Sequence, residues 1–144
     1  MASTGVAGPG WLLQHGTSGS GPWTTITEVK DITGPSQTLE KDEITNQSSP
    51  SAYKEWVTTL LDGGDVTFKC VLVPGDATQD SVTGLLSWMQ GRGLQYWQIV
   101  PPGSYSAHTT AFTAYVTKWA PSFPVAKHAE LDVTLTVTGP VATA

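Results

Sequence analysis

Alternation of apolar and polar residues predicts most of the regular structure in this chain. The clearest case is 129–137, where Leu131, Val133 and Leu135 fall on one face and threonines and acidic residues fall on the other. Residues at a period of two lie on opposite faces of a strand, one against a core and one in solvent. By this criterion, and by β-branched residues and flanking turn signals, we predict strands over 23–32, 37–45, 66–73, 94–100, 107–119 and 129–137.

One segment has the periodicity of a helix instead. After an Asp-Gly-Gly-Asp turn at 62–65 and the strand 66–73, a helix is predicted over 76–90, with Asp76 and Gln79 as a capping box. Its apolar stripe consists of Val82, Leu85, Leu86 and Met89. Such a stripe must dock on the sheet, so Val82→Asp is expected to be severely disruptive. A second, shorter helix is predicted over 51–60.

These elements predict a mainly β fold, an antiparallel β-sandwich or partly open barrel with one docked α-helix. We expect one domain over 23–139 and a short tail over 140–144. Residues 1–22 are rich in Gly, Ser and Thr, which is typical of an arm without a core of its own. This arm is interpreted either as a disordered terminus or leader, or as a segment that orders on a neighbouring subunit through Trp11 and Leu12.

Composition limits the classes of partner. The 144 residues have a net charge of −5 and only seven lysines and arginines, which argues against binding nucleic acid through its phosphates. A charged fraction of 13% suits a subunit whose surface is covered in an assembly. The single cysteine excludes an intrachain disulfide. Because we find neither a signal peptide nor an apolar run of membrane-spanning length, we expect synthesis in the cytoplasm and no membrane partner.

No constellation of catalytic or ligand-binding residues is found in the sequence. None of the three histidines has a second ligand at metal-site spacing, and phosphate-loop, nucleophile-elbow and dinucleotide motifs are absent. Asp62 and Asp65 flank two glycines and are interpreted as turn residues, and Cys70 is interpreted as a buried structural thiol. We therefore predict no catalytic residue, no cofactor, no metal site and no enzymatic activity.

Three stretches match motifs of a known family, in the family's order. They are Ile-Thr-Glu-Val-Lys-Asp-Ile-Thr-Gly-Pro-Ser at 26–36, Ser-Ala-Tyr-Lys-Glu-Trp-Val at 51–57 leading to Leu-Leu-Asp-Gly-Gly-Asp-Val-Thr-Phe at 60–68, and Phe-Thr-Ala-Tyr-Val-Thr at 112–117 leading to Leu-Asp-Val-Thr-Leu-Thr-Val-Thr-Gly at 131–139. In combination they resemble the tail tube (major tail) proteins of long, flexible-tailed bacteriophages.

The resemblance implies a structural virion protein whose six-membered rings stack into a hollow tail tube, through which DNA passes into the host. It implies as partners further copies of the chain, a tape-measure protein, a tail terminator and tail-tip proteins, with DNA as non-specific cargo in the lumen. The protein would be assembled in the host cytoplasm and end in the virion tail. The family also has a hairpin or loop that reaches the adjacent ring, which would here consist of Gln37, Leu39, Glu40, Lys41, Asp42, Glu43, Ile44 and Gln47.

The resemblance also implies that the inner sheets of such tubes join around the ring and line the bore. The polar strand faces expected to include this lining consist of Thr67, Lys69, Glu130, Asp132, Thr134 and Thr136. Alternation leaves open whether they lie toward the bore or toward outside solvent. Two alternative functions remain: a tail terminator or other ring-forming phage or secretion-tube protein that does not polymerise, and a carbohydrate-binding β-sandwich with exposed, coplanar Trp or Tyr side chains.

Overall fold

The computed structural model describes residues 10–143, whose regular structure is mainly β-strand. The strands are β1 (Leu12–Gly16), β2 (Trp23–Thr25), β3 (Val29–Thr33), β4 (Thr38–Glu43), β5 (Trp56–Asp62), β6 (Asp65–Val71), β7 (Gln95–Val100), β8 (Thr110–Ser122) and β9 (Glu130–Thr143). Within this part of the chain the one α-helix is α1 (Leu85–Gln90), and 3-10 turns form at Pro50–Ala52 and Gly103–His108.

Seven of the strands form one antiparallel sheet in the order β2-β1-β7-β8-β9-β6-β3, and β4 pairs with β5 separately. The long strands β8 and β9 form the centre of the large sheet. Val29 and Ile32 from the β3 edge line one groove together with Ile99 of β7, so the sheet curls toward itself without closing. The predicted mainly β, partly open architecture is confirmed.

One face of the seven-stranded sheet forms the core. Val66, Phe68 and Cys70 alternate along β6 and are all buried, as their period of two predicted. The other strands contribute in the same way, and the remaining buried apolar residues are Leu13, Ile26, Leu85, Trp97, Ile99, Phe112, Ala114, Val116, Leu131, Val133, Leu135 and Val137. Alternation therefore identified the core-facing positions of β6, β8 and β9.

The strand predicted over 23–32 is two strands at opposite edges of the sheet. β2 pairs with β1 at one edge, and β3 pairs with β6 at the other. Between them Glu28 has a positive φ of 59°, which interrupts the extended backbone. The chain thus passes from one edge to the other within three residues that the sequence pattern did not mark as a break.

The long helix predicted over 76–90 is wrong except for its last turns. α1 spans only Leu85–Gln90, and residues 76–84 form turns. Of the predicted stripe, Leu85 is fully buried and Met89 packs against the core, but Val82 is 77% exposed. The side-chain oxygens of Asp76 and Asp80 accept hydrogen bonds from nearby backbone amides. Such bonds offer the backbone an alternative to the helix.

The side chain of Gln79 holds the loop before α1 to neighbouring segments. Its side chain is buried, and its Oε1 accepts a hydrogen bond from the Val73 amide at 2.9 Å. Its Nε2 donates to the carbonyls of Thr27 and Val71, at 3.0 Å each. Gln79, predicted to cap a helix, instead forms hydrogen bonds with three backbone groups of two other segments. Buried polar groups require such partners.

Replacing Gln79 by leucine is expected to lower the free energy of unfolding by about 2–4 kcal/mol, because three backbone groups lose their partner. Val82→Asp, previously expected to be severe, should change it by less than about 0.5 kcal/mol at an exposed position. Urea denaturation of both variants tests this. A larger loss in the Val82 variant than in the Gln79 variant would contradict the observed burial.

The predicted arm and tail both contribute strands to the sheet. Residues 1–9 and 144 lie outside the described part, but within 12–16 the chain forms β1, which pairs with β2 and β7 and buries Leu13 completely. At the other end β9 continues to Thr143, which lies opposite Thr110. Each segment pairs with a strand from elsewhere in the chain, the first with β7 and the second with β8, which composition alone does not indicate.

Candidate assembly surfaces

The first candidate surface is the hairpin formed by β4 and β5, which pair with each other and with no other strand of residues 10–143. Every residue of both strands is exposed. The hairpin leaves the body after Ser36 and returns at the Asp62–Asp65 turn, where the Gly64 amide donates to Asp62 Oδ1 at 2.9 Å. Gly64 has a positive φ, and a Cβ there would lie 2.1 Å from the Ser36 carbonyl oxygen. Only glycine fits this crossing of the two hairpin ends.

The hairpin exposes an unusual amount of apolar side chain. Leu60 and Leu61 are 71% and 74% exposed, and Lys41 Nζ lies 4.4 Å from the ring centroid of Trp56. Other large apolar side chains that are exposed here are Leu39, Ile44, Tyr53 and Val57. Leu39 lies opposite Leu61 across the two strands. Exposed large apolar side chains in this number are typical of sites of protein–protein contact.

The predicted inter-ring residues lie on or beside this hairpin. Leu39, Glu40, Lys41, Asp42 and Glu43 belong to β4. Gln37 precedes that strand and lines a groove with residues of β9, whereas Ile44 and Gln47 lie in the connection to β5. Their contact with an adjacent ring stays a prediction.

The short helix predicted over 51–60 is wrong, and this error concealed the second strand of the hairpin. Ser51 and Ala52 have positive φ values of 54° and 60°, which no α-helix accommodates. β5 then pairs with β4, with Val57 opposite Asp42. The apolar residues at 56, 57, 60 and 61 fit a helical spacing, yet the run from 56 to 62 has the length and the Val, Trp and Thr content of a strand.

The second candidate surface is the outward face of β3, β6, β9 and β8, here called the polar face. Thr67 lies opposite Thr134, and Lys69 lies opposite Asp132, so these four predicted lumen residues share one face. Glu130 and Thr136 extend the same face along β9. The six residues named from alternation are therefore brought together, but whether they line a bore stays a prediction.

Several further charged residues belong to the polar face, although alternation did not predict them there. Asp31 of β3 lies opposite Lys69, and Lys118 of β8 lies opposite Thr134. Together with Lys30 these residues line a groove of about 980 Å³ on this face. The pairing register shifts within β3, between positions 29 and 31, and within β8, between positions 116 and 118. Such irregularities interrupt the period of two on which the prediction depended.

An ion-pair cluster stands at one end of the polar face. Lys30 Nζ lies 2.9 Å from Glu130 Oε1, and His128 Nε2 lies 3.1 Å from the same oxygen. Hydrogen bonding from Lys30, reinforced by the charges of Lys30, His128 and Lys69, lowers the pKa of the Glu130 carboxyl. The hydrogen bond to Glu130 correspondingly raises the pKa of Lys30. The Lys30–Glu130 pair therefore stays charged across the neutral pH range.

Within residues 10–143 the geometry offers no group of three or more His, Cys, Asp or Glu side chains that could hold a metal ion. In the same part of the chain, no helix is long and apolar enough to cross a membrane.

The Cys70 thiol is expected to be unreactive toward a thiol reagent in the folded protein near pH 8. Burial, with a smaller effect from the charge of Asp132, raises the pKa of Cys70 from 9.0 to about 12. Because the unfolded thiol ionises first, stability is unaffected below its unfolded pKa and falls as the pH rises toward the folded value. Thiol titration with and without denaturant, and urea denaturation across this range, test this; Cys70→Ser should remove the thiol's contribution to the alkaline loss.

Comparisons of sequence with known proteins find nothing. Neither a protein-family profile nor a curated protein matches the chain.

Comparison of the fold gives several matches over nearly the whole chain. A chain from the tail of an empty gene transfer agent particle, refined with helical and C6 symmetry, is 14% identical with a TM-score of 0.78, covering 97% of this chain and 99% of that one. A second match comes from PVC, an extracellular contractile injection system, in the structure of its sheath/tube terminator in the extended state. That chain is 13% identical with a TM-score of 0.75, and the match covers 100% of this chain and 99% of that one. The SPP1 tail tube protein is 12% identical with a TM-score of 0.70, covering 96% and 78%.

At these identities the comparisons concern the fold alone. Each matched structure belongs to a tail or a tail-like injection apparatus. Each match covers at least 96% of the chain. The chain therefore has the tail tube-like fold that the resemblance of its sequence motifs implied.

Proposed function

We propose that the chain is a tail tube subunit, which forms six-membered rings that stack into a hollow tube for the passage of DNA. Its partners are further copies of itself within and between rings, with a tape-measure protein, a tail terminator and tail-tip proteins at the level of the whole tail. In this role the protein is a structural component of a virion tail and not an enzyme.

The observation that supports this proposal most directly is a fold shared end to end with a chain of a tail that has C6 and helical symmetry. The hairpin supports it independently, because its leucines stay exposed against residues 10–143 and would be buried by contact with another subunit. A head-to-tail contact that closes gives a ring, and one that does not close gives a filament. In this proposal the hairpin makes the contact between rings and the polar face lines the bore.

Negative-stain electron microscopy of the purified protein over a concentration series tests the proposal. Hollow tubes with six-fold end views are expected. Particles that remain monomeric at every concentration, even when a preformed tail-tip complex is added to start assembly, would contradict it.

A tail terminator is the second candidate, favoured by the likeness to a chain of the PVC sheath/tube terminator structure. A terminator closes one end of a tube and does not polymerise by itself. Single rings that never stack in the same concentration series would support this function and exclude the tube subunit.

A further inference from the structure

The charged side chains are divided unequally between the two candidate surfaces. The polar face has three lysines, at 30, 69 and 118, and four carboxylates, at 31, 65, 130 and 132, a net charge of −1. The hairpin, residues 38–62, has five carboxylates and two lysines, a net charge of −3. Most of the subunit's net charge of −5 therefore lies on the hairpin, and the polar face is close to neutral.

Two of the three lysines of the polar face stand beside carboxylates, and the third, Lys118, lies opposite Thr134. Lys30 contacts Glu130 directly at 2.9 Å. Lys69 lies on the central strand of a cross-strand row, with Asp31 opposite on one side and Asp132 opposite on the other. Directly opposed residues have Cβ atoms about 4.5–5.5 Å apart, so their charges offset one another. The pKa shifts of Lys30 and Glu130 have the directions that such pairing produces.

A neutral row of hydroxyl groups lies next to the charged row. Thr33, Thr67 and Thr134 lie opposite one another across β3, β6 and β9. Thr117 Oγ1 donates to the Thr134 carbonyl at 3.2 Å and lies 3.0 Å from Thr136 Oγ1. Hydroxyls bonded in this way present polar surface without charge.

We propose that the polar face is a charge-compensated wall, whose lysines are offset by neighbouring carboxylates so that a polyanion such as DNA passes without being retained. This inference rests on the proposed function, because only a tube gives the face a cargo. Affinity for DNA arises when lysines displace the counterions of phosphates, and a lysine already offset by a carboxylate gains little from doing so. Compensation on this face, rather than the net charge of the whole subunit, prevents retention.

Two triple variants with the same formal charge change test the proposal. D31N/E130Q/D132N leaves the three lysines of the polar face without these carboxylates, and D42N/E43Q/E55Q removes three carboxylates from the hairpin region. Because Asp42 and Glu43 belong to the proposed contact between rings, the two variants are compared by fluorescence anisotropy of a short fluorescent DNA duplex with unassembled subunits. Co-sedimentation of the same duplex with assembled tubes compares the wild type with the polar-face variant. Circular dichroism confirms that both variants fold, which their exposed or partly exposed positions favour.

The wild type and the hairpin variant are expected to retain no DNA, whereas the polar-face variant retains it. With three phosphate contacts, its affinity should fall about 40-fold between about 50 and 200 mM salt. Equal retention by the two variants, retention by the wild type, or no retention by the polar-face variant would each overturn compensation. Absence of tubes in electron micrographs of the wild type would instead count against the proposed function, while the anisotropy comparison on subunits would still decide whether the polar face is compensated.

Discussion

Replacing Leu60 and Leu61 together by serine is expected to prevent tube assembly while leaving the folded subunit intact. Both side chains lie on the hairpin and are 71% and 74% exposed. Their removal should therefore change the free energy of unfolding by less than about 0.5 kcal/mol. If the hairpin docks on another copy, burial of two leucines contributes about 2–4 kcal/mol to each contact. Losing that amount raises the critical concentration for assembly by about 30-fold or more.

The matched control is T58S/T59S, which changes two residues of the same strand that carry little apolar surface. Electron microscopy and sedimentation over a concentration series measure assembly, and urea denaturation measures stability. L60S/L61S tubes that form at the wild-type concentration would exclude the hairpin leucines from the contact between subunits. A loss of assembly in the control as well would indicate a general effect of altering β5.

Replacing Trp97 by alanine is expected to lower the free energy of unfolding by about 3–5 kcal/mol, a large part of the net stability of a small domain. Trp97 is fully buried, and its Nε1 donates to the Ala114 carbonyl at 3.3 Å. Its ring lies edge-on to Trp88 and His15, with centroids 5.6 and 5.1 Å away. The cavity therefore opens where α1, β1 and β7 meet, and urea denaturation should show the loss.

The control is the same substitution at Trp56, which is 48% exposed on the hairpin. There the loss should be only about 0.5–1 kcal/mol, from the contact with Lys41. The two variants separate the roles of the tryptophans, because Trp56→Ala should affect assembly more than stability. A Trp97 variant within about 1 kcal/mol of the wild type would contradict its place in the core.

The candidate surfaces were predictable only where the strand pattern was regular. The six polar-face residues named from β6 and β9 share one face because both strands alternate without interruption and pair in register. Asp31 and Lys118 belong to the same face but follow shifts in register, which depend on the partner strand and leave no fixed mark in the sequence. Charge compensation on this face depends on pairing across three strands, so the sequence could not show it.

The hairpin shows a different limit. Its first strand was predicted, but its second strand was taken for a helix because its four apolar residues fit a helical spacing and do not alternate. For so short a run, the pairing with β4 decides the conformation, since an isolated helical turn is marginal in water. The same holds for residues 76–84, where side-chain bonds to the backbone prevailed over a helical pattern.

The sequence by itself determined the mainly β class, the core-facing residues of β6, β8 and β9, and the turn at the base of the hairpin, because these depend on alternation and on glycine, which are local. The tertiary structure alone decided that the N-terminal segment supplies β1, that β2 and β3 occupy opposite edges, and that Gln79 holds a loop to the sheet. These features depend on hydrogen bonds between segments far apart in the chain, whose partners no local pattern identifies.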